Sequence, residues 1–269
     1  STSPSRLPRP MALVAVLGRV GVTVGGCDLM TAQATPRPSR LVATPGPLPS
    51  SAPEPSDEVP TLRPEPSGDG ADLVAAADAL ADLDSYRVTI VSRGLVESSS
   101  ADGTVTMTST LVQGAAPAAG FTMRGVAGLE GGSLEAIVIG DEAWLRAGGG
   151  RWLKSPGGAA DFDAAFTTLS PTALVLGFEE LAAAIHQIST ERRNGIPTVR
   201  YRAESGDPEA AAAGLTGGRA DLWLAAEGGY LVALAIDGTW DVDGVPTPIL
   251  LKIEVSGIND PANRIKPPG

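Results

Sequence analysis

The sequence has one cysteine, Cys27, and one histidine, His186, in 269 residues. A disulfide framework is therefore excluded, and so is a zinc site built from His and Cys ligands. A Ser-His-Asp triad would have to use His186, and no G-x-S-x-G elbow is present to receive it. Phosphate-cradling fingerprints are absent as well: Gly148-Gly149-Gly150 lacks a strand-to-helix setting and reads as a hairpin turn. Asp241-x-Asp243-Gly244 has too few oxygen ligands for a calcium loop, so Asp237, Asp241 and Asp243 read as turn and solvated-face residues. Aromatic residues make up 4% of the chain. Trp144, Trp152, Trp223 and Trp240 could stack on glycans or acyl chains, but core or edge positions in a sheet are their commoner use.

Basic residues are also in short supply. The formal net charge is −11, from 20 Lys and Arg against 31 Asp and Glu. Three of the cations, Arg6, Arg9 and Arg19, precede Cys27, and from Asp28 onward the charge is −14. An acidic body of this kind does not suit phosphate-backbone binding, so no nucleic-acid partner is expected. Its overall charge also keeps it off an anionic membrane surface, so attachment to a membrane would rest on a lipid anchor.

That attachment is suggested by the stretch from Met11 to Cys27, MALVAVLGRVGVTVGGC. Arg6 and Arg9 lie ahead of it, no acidic residue occurs before Asp28, and the apolar run ends in Gly25-Gly26-Cys27. This is the layout of a secretory signal with small residues at its cleavage point. The cysteine after the glycine pair makes it similar to a bacterial lipobox. The resemblance implies a removed signal over 1–26, an acylated Cys27 and a protein held outside the cytoplasm on the cell membrane. Arg19 interrupts the apolar run, and a charge in mid-segment costs about 2.5–3.5 kcal/mol on insertion. The competing reading is a poor transmembrane anchor followed by an inert cysteine. The run falls short of the ~20 apolar residues that a span needs.

From Asp28 to Gly70, ten of 43 residues are proline. Proline at this density blocks helices and strand ladders, and few large apolar groups are present to offset ordering entropy. Residues 27–70 thus read as the lipidated cysteine and a Pro-rich linker, leaving 71–269 as the folded domain. There Asp69 is the expected cap of a helix over Leu73 to Leu83, with Leu73, Ala77 and Leu80 on its buried face. Period-two alternation follows at 86–91, 105–111, 121–126, 134–139 and 143–146, with Gly-rich turns between. Short alternating strands joined by short turns predict an antiparallel sheet. The pattern breaks between Asp161 and Ile185. A short helix over Asp161 to Leu169 is expected first, then one opening at Ser170-Pro171 with Leu174, Phe178, Leu181 and Ile185 on one stripe. Strands return at 187–191 and 197–203 around Asn194-Gly195, then at 220–226, 230–240 and 249–255, with a turn of helix over 208–213.

This order of elements resembles the LppX/LprG-type lipoproteins and the wider LolA-like fold. The local matches are Leu80-Ala81-Asp82-Leu83-Asp84-Ser85-Tyr86, Ile139-Gly140-Asp141-Glu142-Ala143-Trp144-Leu145, and Asp221-Leu222-Trp223-Leu224 through Ile236, within about 71–260. The resemblance implies an α+β fold: a curved, open antiparallel half-barrel with helices packed on the concave side. It also implies a hydrophobic cavity for a lipid or glycolipid, and the helical stripe of Leu174, Phe178, Leu181 and Ile185 is its candidate lining. A solid interlocked core is the alternative. No catalytic motif and no cofactor come with the resemblance, and a monomer is expected. Two readings remain open: a lipid-anchored carrier, or a tethered sensor or accessory interaction protein without a cavity.

Overall fold

The computed structural model describes residues 71–94, 102–114, 117–127, 132–162, 171–176, 178–242 and 244–269. Cys27, the linker and Asp69 lie outside them. The first helix, α1, spans Leu73–Ala81, and its cap is Asp72 rather than Asp69. Asp72 has extended backbone, φ −78° and ψ 91°, and its carboxylate accepts from Ala75 N at 2.9 Å. It stands one residue before the apolar stripe begins, which is where a capping side chain reaches the free N–H groups of the first turn. Leu73, Ala77 and Leu80 are buried as expected, Ala76 with them, while Val74 is exposed.

Eleven strands form one sheet among the described residues. They are β1 Ser85–Arg93, β2 Thr104–Val112, β3 Ala118–Arg124, β4 Ser133–Ile139, β5 Glu142–Ala147, β6 Leu153–Lys154, β7 His186–Arg193, β8 Ile196–Glu204, β9 Leu215–Ala225, β10 Leu231–Val242 and β11 Val245–Ser256. Their order is β6-β5-β4-β3-β2-β1-β11-β10-β9-β8-β7, antiparallel throughout. The sheet is open, with β6 and β7 at its edges. Two meanders, β1 to β6 and β7 to β11, meet where β1 pairs with β11 in the middle. At the β7–β8 hairpin Asn194 and Gly195 both have positive φ, +52° and +79°. That is the requirement of a two-residue turn matching strand twist.

This topology gives the segment between β6 and β7 its task. Eleven strands at ~4.8 Å spacing span about 48 Å along the sheet, so the chain must travel from one edge to the other. It does so in short helical pieces: a 3-10 helix at Gly158–Phe162, α2 at Pro171–Leu176 and a second 3-10 helix at Glu179–Ala184. Pro171 opens α2 as expected. The helix expected over Asp161 to Leu169 is only a 3-10 turn ending at Phe162, and the rest of that stretch lies outside the described residues. Nor does one helix run on to Ile185. Phe178 has left helical geometry at φ −108° and ψ 13°, and Gly177, a poor helix former, stands in the sequence between the two pieces. A third short helix, α3 at Pro208–Ala212, is capped by Asp207.

One face of the sheet is apolar. Tyr86, Val88 and Ile90 of β1 point into it, as do Met107, Phe121, Leu134, Leu234 and Ile253. Leu73, Leu80, Phe162, Val175, Phe178 and Leu181 from the helical pieces belong to the same buried cluster. The Tyr86 hydroxyl is pushed up to about 12, chiefly by burial, with a hydrogen bond to Gln113 pulling the other way.

Candidate functional site

The expected apolar stripe converges where the helical pieces meet β9 and β10. Phe178, Leu181 and Ile185 face Leu73 of α1 and Val175 of α2 across a crevice closed by Leu222 and Leu234. Leu174 is a residue of α2, its side chain outside what the structure describes; Val175, its neighbour, was not anticipated from the sequence. The wall is almost wholly apolar, and Glu179 and Glu180 are exposed to solvent. The free space is about 10 Å³. That is about the least that holds one water molecule, so an acyl chain enters only if the walls part. The covering pieces suit such movement. A six-residue helix is marginal by itself, and 3-10 hydrogen bonds have poorer geometry than α-helical ones.

Behind this crevice, on the outer face of β8 and β9, lies a polar cluster that sequence reasoning missed. The Asp221 carboxylate is buried and takes Arg202 Nε at 2.8 Å, Arg200 Nη2 at 3.0 Å and Arg219 Nε at 3.2 Å. Trp223, two residues on, lies beneath two guanidiniums: Arg193 at 3.9 Å and Arg200 at 4.9 Å from the ring centre. Its indole N–H donates to Glu191. The available signal was the alternation Arg200-x-Arg202 against Asp221-x-Trp223 on neighbouring strands, since residues paired across a ladder share a face. This cluster is satisfied within itself and ties β7, β8 and β9 together.

The remaining flagged residues do not assemble. Trp144 and Trp152 lie near the β6 edge beside Lys154 and Arg146, Trp223 near the β7 edge, and Trp240 is buried. The four therefore do not form one stacking platform. His186 is exposed at the start of β7, with Nε2 at 3.3 Å from Asp207 Oδ2. The Asp207 carboxyl is held below the usual carboxylate range, first by the Glu209 backbone N–H it caps and then by His186. Asp241 accepts from Gly244 N at 2.7 Å in a turn, and Asp237 is exposed; Asp243 lies outside the described residues. Among the described residues no three His, Cys, Asp or Glu are grouped to hold a metal, and no helix is long and apolar enough to cross a membrane.

No family model matches the chain, and no curated protein does. Solved structures similar to it include lipoproteins of the LppX/LprG type. LprF from Mycobacterium bovis shares 16% identity over 73% of this chain and 94% of its own, at a TM-score of 0.43. Lipoprotein LppX from Mycobacterium tuberculosis shares 17% over 70% and 92%, at 0.40. A LolA superfamily protein from Nitrosomonas europaea shares 8% over 68% and 90%, at 0.24. At these scores the likeness is loose and carries nothing about ligand or partner.

Proposed function

We propose that the chain is a lipid-anchored extracytoplasmic protein that binds or carries a lipophilic group between the apolar face of its sheet and the helical pieces crossing it. The observation that carries this reading is the crevice itself: Leu73, Phe178, Leu181, Ile185 and Leu234 meet there with almost no polar wall. Apolar concave sites are where lipophilic ligands bind. Parting the short pieces Pro171–Leu176 and Glu179–Ala184 from β9 and β10 would expose a continuous hydrocarbon wall, which an acyl chain would cover again. The role is binding, without a catalytic step, and the protein acts as a monomer. The anchor rests on the sequence from Met11 to Cys27, with Cys27 acylated. Two chains hold such an anchor stably where one is marginal.

The test is titration of the full chain with a fluorescent polyene fatty acid. Saturable binding is expected, displaced by palmitate and lost in Leu181→Asn, whose amide would face hydrocarbon without a partner. No saturable binding in the wild type would overturn the carrier reading. The second reading, a tethered accessory protein that binds other proteins, is favoured by the present closure of the crevice to about 10 Å³. Both readings need the anchor, so Cys27→Ala should move the protein from the detergent phase to the aqueous phase in phase partition; unchanged partition would contradict it.

A further inference from the structure

The outer face of the opposite half of the sheet holds a second depression, unrelated to the crevice. It has a volume of about 440 Å³, within the range of small-molecule sites. Its floor consists of outward-pointing residues of β1 to β4, which alternate with the core residues. Thr89, Thr108 and Thr122 stand opposite one another across three strands, with Thr110 beside them. The segment after β11 folds back to form the far wall. Asn259 N donates to Ser85 O at 2.8 Å, Ser85 N to Asn259 Oδ1 at 3.1 Å and Asn263 Nδ2 to Ser85 Oγ at 3.0 Å. Held there, Ile265 lies over Gly120, where an added β-carbon would stand 3.9 Å from its Cδ1. Gly120 has no positive φ, so its backbone makes no special demand. The missing side chain leaves the floor low where the segment crosses.

The charge in this groove is opposite to that of the protein. Arg87, Arg264 and Lys266 line it, and Glu135 is the only carboxylate among its described lining residues. Glu135 is already engaged by Arg146, with Nε at 3.0 Å and Nη2 at 2.6 Å. Among the described residues no ion pair holds Arg87, Arg264 or Lys266; Arg264 spends only its Nε, on Pro261 O. In a chain of net charge −11, three cations without an ion pair among the described residues concentrate positive potential around one depression. Guanidinium and ammonium groups suit phosphate oxygens, and the threonine hydroxyls both donate and accept, as a polyol requires. Trp152, with Arg146 at 4.7 Å over its ring, closes one end.

We propose that this groove binds a phosphorylated polyol, with its phosphate on Arg87, Arg264 and Lys266 and its hydroxyls on the threonine floor. The same chemistry is offered by a soluble sugar phosphate and by the glycerophosphate headgroup of an anionic lipid. The site lies on the other face from the crevice and stands whether or not the crevice takes a lipophilic group.

The test uses the full chain and two probes: glucose 6-phosphate by titration calorimetry, and retention on phosphatidylglycerol against phosphatidylcholine vesicles. The double variant Arg264→Gln/Lys266→Gln changes two exposed side chains and keeps the Asn259 and Asn263 contacts. Arg192→Gln, at the far edge of the sheet, controls for surface charge. Glucose 6-phosphate should bind saturably and tighter than glucose, weaken with salt, and weaken about tenfold or more in the double variant but not in Arg192→Gln. Excess retention on phosphatidylglycerol that the double variant loses, with little glucose 6-phosphate binding, would assign the phosphate to a lipid headgroup. The reverse result would assign it to a soluble ligand. The proposal is overturned if neither probe shows binding that the double variant weakens, or if glucose binds as tightly as its phosphate.

Discussion

The two faces of the sheet answer the same strand geometry in different ways. On β1 to β4 the inward positions are Tyr86, Val88, Met107, Phe121, Leu134 and Ala136, and the outward ones Arg87, Thr89, Thr108, Thr110, Thr122 and Glu135. Threonine keeps the β-branched shape that favours a strand without needing cover from water. The inward face cannot be left wet, and the short helical pieces Leu73–Ala81, Gly158–Phe162, Pro171–Leu176 and Glu179–Ala184 cover it. Near the β7 edge the outward face is itself partly apolar, with Trp223, Ala225, Val232 and Ala233 clustered. There the cover is not helical: the guanidiniums of Arg193 and Arg200 lie on the Trp223 ring instead. Which face needs a roof therefore decides where the helical pieces are placed.

Phe178→Ala puts the sharpest strain on this contrast. If the crevice is plain core, the change should cost about 3–5 kcal/mol in denaturant unfolding. If it is a site that opens, part of that loss should be absent and acyl-probe binding should change. A smaller effect is expected from pH on the same face. The Tyr86 hydroxyl is raised from 10.0 to about 12 in the folded chain. Its contribution is thus fully present below pH ~10 and lost as pH rises toward ~12, on the order of 2–3 kcal/mol. Thermal unfolding of Tyr86→Phe should lack this share of the alkaline decline. On the outer face Thr108→Val should stay within about 0.5 kcal/mol of the parent. A loss there as large as that of Phe178→Ala would show that the two faces do not differ as described.

The sequence made the strands readable because alternation is local. Val88 and Ile90, or Leu134 and Ala136, declare their face within a few residues. Only β6 escaped, since the two residues Leu153 and Lys154 carry no period. The pairing of β1 with β11 had no local signal: Val88 meets Val255 across most of the domain. The stripe through Phe178, Leu181 and Ile185 was legible from its spacing, yet the break into two helical pieces was not, because the apolar spacing runs on unbroken past Gly177. The helix begins at Leu73 as expected, so its cap has to be the residue just before it, Asp72, and Asp69 stands too early to reach the first-turn N–H groups. The Asp221 cluster and the groove beneath Ile265 needed tertiary contacts that no spacing encodes.

The most direct test of the central claim is native mass spectrometry of the anchored protein, purified from membranes and released from detergent in the gas phase. Cys27→Ala, purified from the soluble fraction and measured alongside, separates covalent acyl mass from bound lipid. The expected result is a population carrying added, non-covalent lipid mass that Leu181→Asn loses while keeping a folded charge-state distribution. Wild-type protein without non-covalent lipid, together with a Phe178→Ala variant that pays the whole cost of a packed core, would contradict it and leave the tethered interaction protein as the reading.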